Sequence, residues 1–388
     1  MVTQLKIYFK MSDKIWLSSP HMGGHELQYI HDAFDANWVA PLGPNVNGFE
    51  EDLEEFLNAD VKVAALSAGT AALHLALIEC EVGVGDEVIC QSMTFSASAN
   101  PIAYQGAIPV FIDSERETWN MCPIALRQAI TDRIAKGKKP KAIIVVHLYG
   151  MPAKMDEILA IANEFGIPII EDAAEALGST YKGKACGTFG KFGVLSFNGN
   201  KIITTSGGGA LVCHSQIDKD KAVFLSTQAR DDAPHYQHSH IGYNYRMSNV
   251  CAGIGRGQME VLVHRVEARR AMTDFYVELF ANCKGVSVFV SPTADFYSNH
   301  WLSAITIEPT EAGITREDLR LALLELNIES RPLWKPMHLQ PVFEGTPYYG
   351  AKVAEELFEK GLCLPSGSNL TDVERERIKV AIDQVFAK

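Results

Sequence analysis

Four short segments of this sequence carry residue types that could act together on a carbonyl compound. Ile169-Ile170-Glu171-Asp172-Ala173-Ala174-Glu175 sets an acidic residue at the carboxyl end of an apolar run. In open α/β sheets, ligands bind at that end of the strands. A carboxylate buried there is costly unless a positive group meets it, and a protonated pyridine nitrogen would be such a group. Lys201 comes 29 residues after Asp172, behind a run that ends in Ser196-Phe197 and a tight Asn198-Gly199-Asn200 turn. A lysine held partly out of water can condense with an aldehyde. Ser67-Ala68-Gly69-Thr70-Ala71-Ala72-Leu73 is a small-residue turn into a helix. Free N–H groups, the positive end of the helix dipole and the Thr70 hydroxyl make such a turn an anion site. Gly242-Tyr243-Asn244-Tyr245-Arg246-Met247-Ser248-Asn249 alternates aromatic and polar residues ahead of a long helical stretch.

Each segment has an ordinary alternative. The Ser67 turn serves equally as a plain strand–helix connection, Asp172 as a helix N-cap, a lone lysine as a solvated surface charge, and the Tyr243 segment as a cap with two packed tyrosines. Their order along the chain gives them weight. The Ser67 turn is not GxGxxG and nothing matches a Walker loop, which argues against nicotinamide and nucleoside-triphosphate sites.

The elements that must position these groups alternate. Apolar runs at 63–66, 87–90, 109–112, 142–147 and 167–171 read as strands, with helices between them at 70–79 and at 154–165, the latter stopped by Gly166 and Pro168. Such alternation implies a mostly parallel, doubly wound sheet covered on both faces. After Ser206 the pattern changes. Residues 248–280 read as one long helix or two, followed by a strand at 304–307 and helices at 316–326 and 372–386. The expected architecture is an α/β large domain with its N-terminal arm lying against it (residues 1–245), then a long helix and a smaller α+β domain (residues 246–388).

The 388 residues exceed one compact core. A net charge of -12 argues against a general nucleic-acid binder. The eight cysteines are scattered singly with no metal-ligand spacing, which fits reduced thiols and a cytoplasmic protein, and no metal is expected. No stretch reaches the ~20 apolar residues of a membrane span. The first 14 residues lack the apolar core of a signal peptide. Met11 is a candidate start, which would make the ten residues before it an extension.

Taken together, these segments closely resemble the sugar-nucleotide aminotransferase family named after the DegT, DnrJ, EryC and StrS proteins. The likeness runs from Ser18-Ser19-Pro20-His21-Met22-Gly23 through Ala40-Pro41-Leu42-Gly43 to Cys363-Leu364-Pro365-Ser366-Gly367 and is most specific from Glu171 to Gly209. The resemblance implies the aspartate-aminotransferase-like fold of pyridoxal-phosphate (PLP) enzymes and a homodimer with shared active sites. By position it implies Lys201 as the Schiff-base lysine and proton shuttle, and Asp172 as partner of the pyridine nitrogen. Ala68, Gly69, Thr70 and Ser196 would hold the phosphate, Phe95 would stack on the ring, and Asn244 would reach the phosphate of the neighbouring subunit. Glu175 stands where the family more often has glutamine or histidine beside the cofactor's phenolic oxygen. Pro41, Leu42, Gly43, Arg230, Arg331 and His338 are candidate substrate contacts.

Within the family, Ser196-Phe197-Asn198-Gly199-Asn200-Lys201-Ile202-Ile203-Thr204-Thr205, Ser226-Thr227-Gln228-Ala229-Arg230 and Arg331-Pro332-Leu333-Trp334-Lys335-Pro336-Met337-His338 look most like the bacillosamine-pathway members. That implies transfer of the amino group of L-glutamate to C4 of a UDP-linked 4-keto-6-deoxy-N-acetylhexosamine. A family member acting at C3, or on a dTDP- or GDP-keto sugar, is the alternative. A PLP-dependent sugar dehydratase would have histidine in place of Lys201, and a PLP-binding regulator would need a DNA-binding module for which there is no spare length.

Overall fold

The computed structural model describes residues 13–386; Met11 and the ten residues before it lie outside them. Eight strands form the main sheet. They are β1 (Lys62–Leu66), β2 (Glu87–Gln91), β3 (Ile108–Ile112), β4 (Ala142–Val146), β5 (Ile169–Asp172), β6 (Phe192–Ser196), β7 (Gly209–Cys213) and β8 (Tyr348–Tyr349). Their spatial order is β1-β7-β6-β5-β4-β2-β3-β8. Only β7 runs against the others. The runs expected as strands are near-continuous Val, Ile, Leu and Ala because helices cover both faces. This is the expected mostly parallel, doubly wound α/β architecture with a smaller C-terminal α+β part.

Boundaries moved by one or two residues, and the helix expected at 154–165 is Met155–Phe165, closed by Gly166 at φ 59. The stretch 248–280 resolves into two helices, Asn249–Met259 and Leu262–Phe280. Ser248 caps the first by accepting from the Cys251 N–H at 3.2 Å. That helix lies close against α1 (Glu26–Asp35) and α2 (Pro44–Leu57). A Cβ on Gly257 would stand 2.7 Å from the Glu26 nitrogen, and one on Gly255 would stand 2.7 Å from the Phe49 ring. Two features escaped the sequence pattern. Tyr348–Tyr349, from the C-terminal half, adds β8 to the sheet edge by pairing in parallel with Phe111 and Ile112. Phe296–Tyr297 pairs with Thr180–Tyr181 in a separate small sheet.

The arm corrects an expectation. Its first described residues lie against the small domain, where Ile15 bridges Ile328 and is buried in the core with Tyr276, Ile305 and Leu362. The reason is hydrophobic, since Ile15 is 1% exposed there. Beyond it, Ser18 turns back to the sheet by donating to the Asn200 carbonyl at 2.8 Å. Among the described residues no helix is long and apolar enough to cross a membrane, no cluster of metal-ligand residues forms, and all eight cysteines are free thiols.

Candidate active site

The carboxyl ends of β1, β2, β4, β5 and β6 surround a cavity of about 300 Å³. The residue after β1 leads through Ala68 into α3 (Gly69–Glu79), so the helix opens on the cavity floor with Gly69 and Thr70 in the wall. Only a glycine brings this helix end so near β6: a Cβ on Gly69 would stand 3.0 Å from that of Ser196. The first turn of a helix has N–H groups without intrahelical partners, and the Ser196 side chain faces them across the same space.

Asp172 ends β5 and is almost fully buried in the cavity wall. Its Oδ2 accepts from Ser98 Oγ at 2.6 Å and its Oδ1 from the Ala174 N–H at 3.2 Å. Thr94 Oγ1 lies 2.6 Å from Ser98 Oγ and completes the relay. No cation among the described residues pairs with this carboxylate, so its charge is left for something in the cavity.

Lys201 leaves the tight turn after β6, where its N–H donates to the Asn198 carbonyl at 3.0 Å. Its Nζ stands 3.6 Å from Glu175 Oε1 and 4.3 Å from the centre of the Trp301 ring. Glu175 Oε2 accepts the Tyr149 N–H at 2.7 Å. Burial raises the Glu175 pKa, and the nearby Asp172 charge adds to it, against the opposing pull of Lys201 and the Tyr149 N–H. Phe95 and Trp334, with ring centres 5.4 Å apart, line the cavity as well.

A smaller hollow of about 170 Å³ adjoins, sharing Asn200, Trp301 and Trp334 with the first and adding Trp16, Glu329 and Arg331. The structure thus brings together Ala68, Gly69, Thr70, Phe95, Asp172, Glu175, Ser196 and Lys201, and leaves the other candidates elsewhere. Asn244 is exposed on a segment bridged to Thr227 and does not line this chain's own cavity. Pro41, Leu42 and Gly43 form an outward turn beside Ser248 and Trp38. Arg230 is exposed with its guanidinium 4.5 Å from the Tyr236 ring centre. Arg331 reaches only the adjoining hollow and pairs with Glu329. His338 is taken up by packing: Nδ1 lies 2.7 Å from Ser92 Oγ, Nε2 3.4 Å from Glu355, and its ring stacks on Tyr348.

Sequence reasoning missed Ser98, Trp301 and Trp334. Ser98 stands three residues beyond Phe95, close enough to a named candidate to have been tested as a partner. Trp301 comes from the far half of the chain and carries no local signal. Trp334 lies inside a segment already quoted for the resemblance.

The groups present fit PLP. A helix N-terminus with two hydroxyl side chains suits a phosphate, an unpaired buried carboxylate suits a pyridinium, and a mostly buried amine faces the space between them. The comparisons agree. Residues 20–383 match the model of the DegT/DnrJ/EryC1/StrS aminotransferase family. The putative pyridoxal phosphate-dependent aminotransferase EpsN of Bacillus subtilis is 53% identical over 97% of this chain and 97% of its own. GDP-perosamine synthase of Escherichia coli O157:H7 is 36% identical over 95% of this chain and 97% of its own. The PLP form of the putative sugar aminotransferase Spr1654 from Streptococcus pneumoniae superposes with a TM-score of 0.86 at 27% identity, covering 97% of this chain and 99% of that one. The chain belongs to the DegT/DnrJ/EryC1/StrS family and is a PLP-dependent aminotransferase.

Proposed function

From membership in that family, we propose that this enzyme moves the amino group of L-glutamate to the keto carbon at C4 of a nucleotide-linked 4-keto-6-deoxy sugar. The convergence of Lys201, Asp172 and the opening turn of α3 on one cavity carries the reading. Bound PLP supplies an aldehyde carbon for the incoming amine and a ring that accepts the electrons of the bond being broken.

The chain's own residues do the rest. Lys201 anchors the cofactor, and once displaced its amine takes the proton from the glutamate α-carbon and delivers one to sugar C4. Asp172, aimed by Ser98, keeps the ring nitrogen protonated. The N–H groups at Gly69 and Thr70, with the Thr70 and Ser196 hydroxyls, bind the phosphate, and Phe95 covers the ring. Glu175 would lie beside the phenolic oxygen, where burial raises its pKa against the pull of Lys201. Asn244, exposed and outside its own cavity, serves the phosphate of a second subunit, so the working unit is a homodimer.

For the nucleotide, the relative named GDP-perosamine synthase supports a GDP-linked sugar. The segments at 196–205, 226–230 and 331–338 support the UDP-linked N-acetyl sugar as the second reading. Pro41, Leu42, Gly43, Arg230 and Arg331 are the residues to test for substrate contact. The His338 ring is held by Ser92, Glu355 and Tyr348.

The test mixes the purified protein with PLP, glutamate and either keto-sugar nucleotide. Sugar-dependent 2-oxoglutarate is expected, with the GDP sugar preferred, and Lys201→Ala should lower the rate by about 10⁴-fold. Absence of sugar-dependent 2-oxoglutarate with both nucleotides, while the visible cofactor band is present, would overturn the proposal. A UDP preference would overturn the nucleotide assignment alone.

A further inference from the structure

Lys201 Nζ sits between two groups on opposite parts of the chain. On one side is Glu175 Oε1 at 3.6 Å; on the other is the face of Trp301, with its ring centre at 4.3 Å. Trp301 is 1% exposed and fixed at three points. Its indole N–H donates to the Asn200 carbonyl at 2.7 Å, its backbone N–H donates to Asn299 Oδ1 at 2.8 Å, and its carbonyl accepts from the buried Arg269. Arg269 also holds Ser18, which donates to the same Asn200 carbonyl. The ring under the amine is therefore part of a rigid junction of arm, lysine turn and small domain.

We infer that Trp301 and Glu175 form a seat for the Lys201 amine in the part of the cycle when it is not joined to the cofactor, and that Trp301 is a positioning residue for proton transfer. The inference rests on the reading of Lys201 as the proton carrier. An ammonium is attracted to the quadrupole of an aromatic face, most strongly to that of tryptophan and when water is excluded. Glu175 supplies the opposing side. An amine released from covalent attachment on a flexible four-carbon stem would otherwise sample many positions, and proton transfer needs reacting atoms about 3–3.5 Å apart. The seat keeps the amine at the wall of the cavity that would hold the reacting carbons.

The experiment uses the holoenzyme with Trp301→Leu and Trp301→Phe. Leucine removes the π face and the indole N–H; phenylalanine restores the face but not the N–H. The glutamate half-reaction is followed by stopped flow with ordinary and C2-deuterated glutamate. Trp301→Leu should slow the isotope-sensitive step about thirtyfold, the worth of a desolvated cation–π contact, while the glutamate dissociation constant stays within about twofold. Trp301→Phe should recover most of that loss.

A second measurement is independent of turnover. In the apoprotein, acetylation of Lys201 is read by peptide mass spectrometry against exposed Lys191. It should quicken in the leucine variant and return towards the parent rate with phenylalanine. The inference is overturned if Trp301→Leu leaves both the isotope-sensitive rate and the labelling unchanged. It is also overturned if phenylalanine is as damaging as leucine, which would assign the effect to the Asn200 hydrogen bond. Failure of the underlying function shows differently, as a Lys201→Ala enzyme that still aminates the sugar.

Discussion

Glu171 and Asp172 are neighbours on β5, and strand alternation sends their carboxylates to opposite faces of one sheet. Both are buried. Glu171 accepts from His147 Nε2 at 2.9 Å and from the N–H groups of Gly187, Phe189 and Gly190 at 2.8, 2.5 and 2.7 Å. His147 Nδ1 accepts the Ala153 N–H at 3.0 Å, which leaves Nε2 to donate to Glu171. Burial pushes the Glu171 pKa up, but the His147 hydrogen bond and the backbone N–H groups outweigh it and hold it low. Asp172, on the other face, has Ser98 and the Ala174 N–H and then open space. A saturated buried carboxylate ties a strand end to the next loop. An undersaturated one facing a cavity is available for a ligand, which is the difference between a structural acid and a functional one.

Breaking the functional side should give the largest effect. Asp172→Asn is expected to lower kcat on the order of 10²–10³-fold, with the melting temperature of the apoprotein nearly unchanged. A comparable loss of thermal stability would mean that the two faces do not divide the labour. The structural side should behave in the opposite way. Glu171→Gln turns an N–H₂ towards donors that need an acceptor and should cost about 3 kcal/mol in urea unfolding, while activity per folded molecule, from active-site titration, stays near the parent.

The smallest effect sharpens the comparison with a third carboxylate. Glu79 ends α3, the helix whose other end opens on the cavity, and neither of its oxygens has a hydrogen-bond partner. Burial pushes its pKa up to about 7 from 4.5, with Lys221 pulling the other way. Between those values the folded chain holds a proton that the unfolded chain has released. The stability that the neutral group allows is therefore complete below about pH 4.5 and is lost as pH rises through 7. Glu79→Gln should thus be about 2 kcal/mol more stable than the parent at pH 8, a value reduced for partial solvent screening. The gap should close near pH 4.5 in paired unfolding curves.

The part of the site nearest to β1, β5 and β6 was legible because its signals are local. A strand end, a small-residue turn and a helix start follow one another within a few residues, as at Leu66 to Thr70 and at Asp172 to Glu175. Lys201 was legible for the same reason. The face of β5 on which a carboxylate points follows from alternation, but whether it finds donors there does not, since those of Glu171 come from the loop 15 to 20 residues on and from β4's end. Arg230 and Arg331, which lie outside the cavity, show why charge alone does not mark a contact: a charged side chain is as often held by a neighbour such as Tyr236 or Glu329 as by a ligand.

The sequence alone determined the alternating sheet and put Asp172, Lys201 and the small-residue turn at Ser67 to Thr70 at or just beyond strand ends, because periodicity and turn chemistry act over a few residues. Only the tertiary structure decided that Ile15 belongs to the small domain's core, that β8 closes the sheet edge from the far half of the chain, and that Trp301 lies across the amine of Lys201. Those placements depend on which buried surfaces meet after the chain has collapsed, between residues 100 or more apart in sequence for Lys201 and Trp301, and no local pattern encodes them.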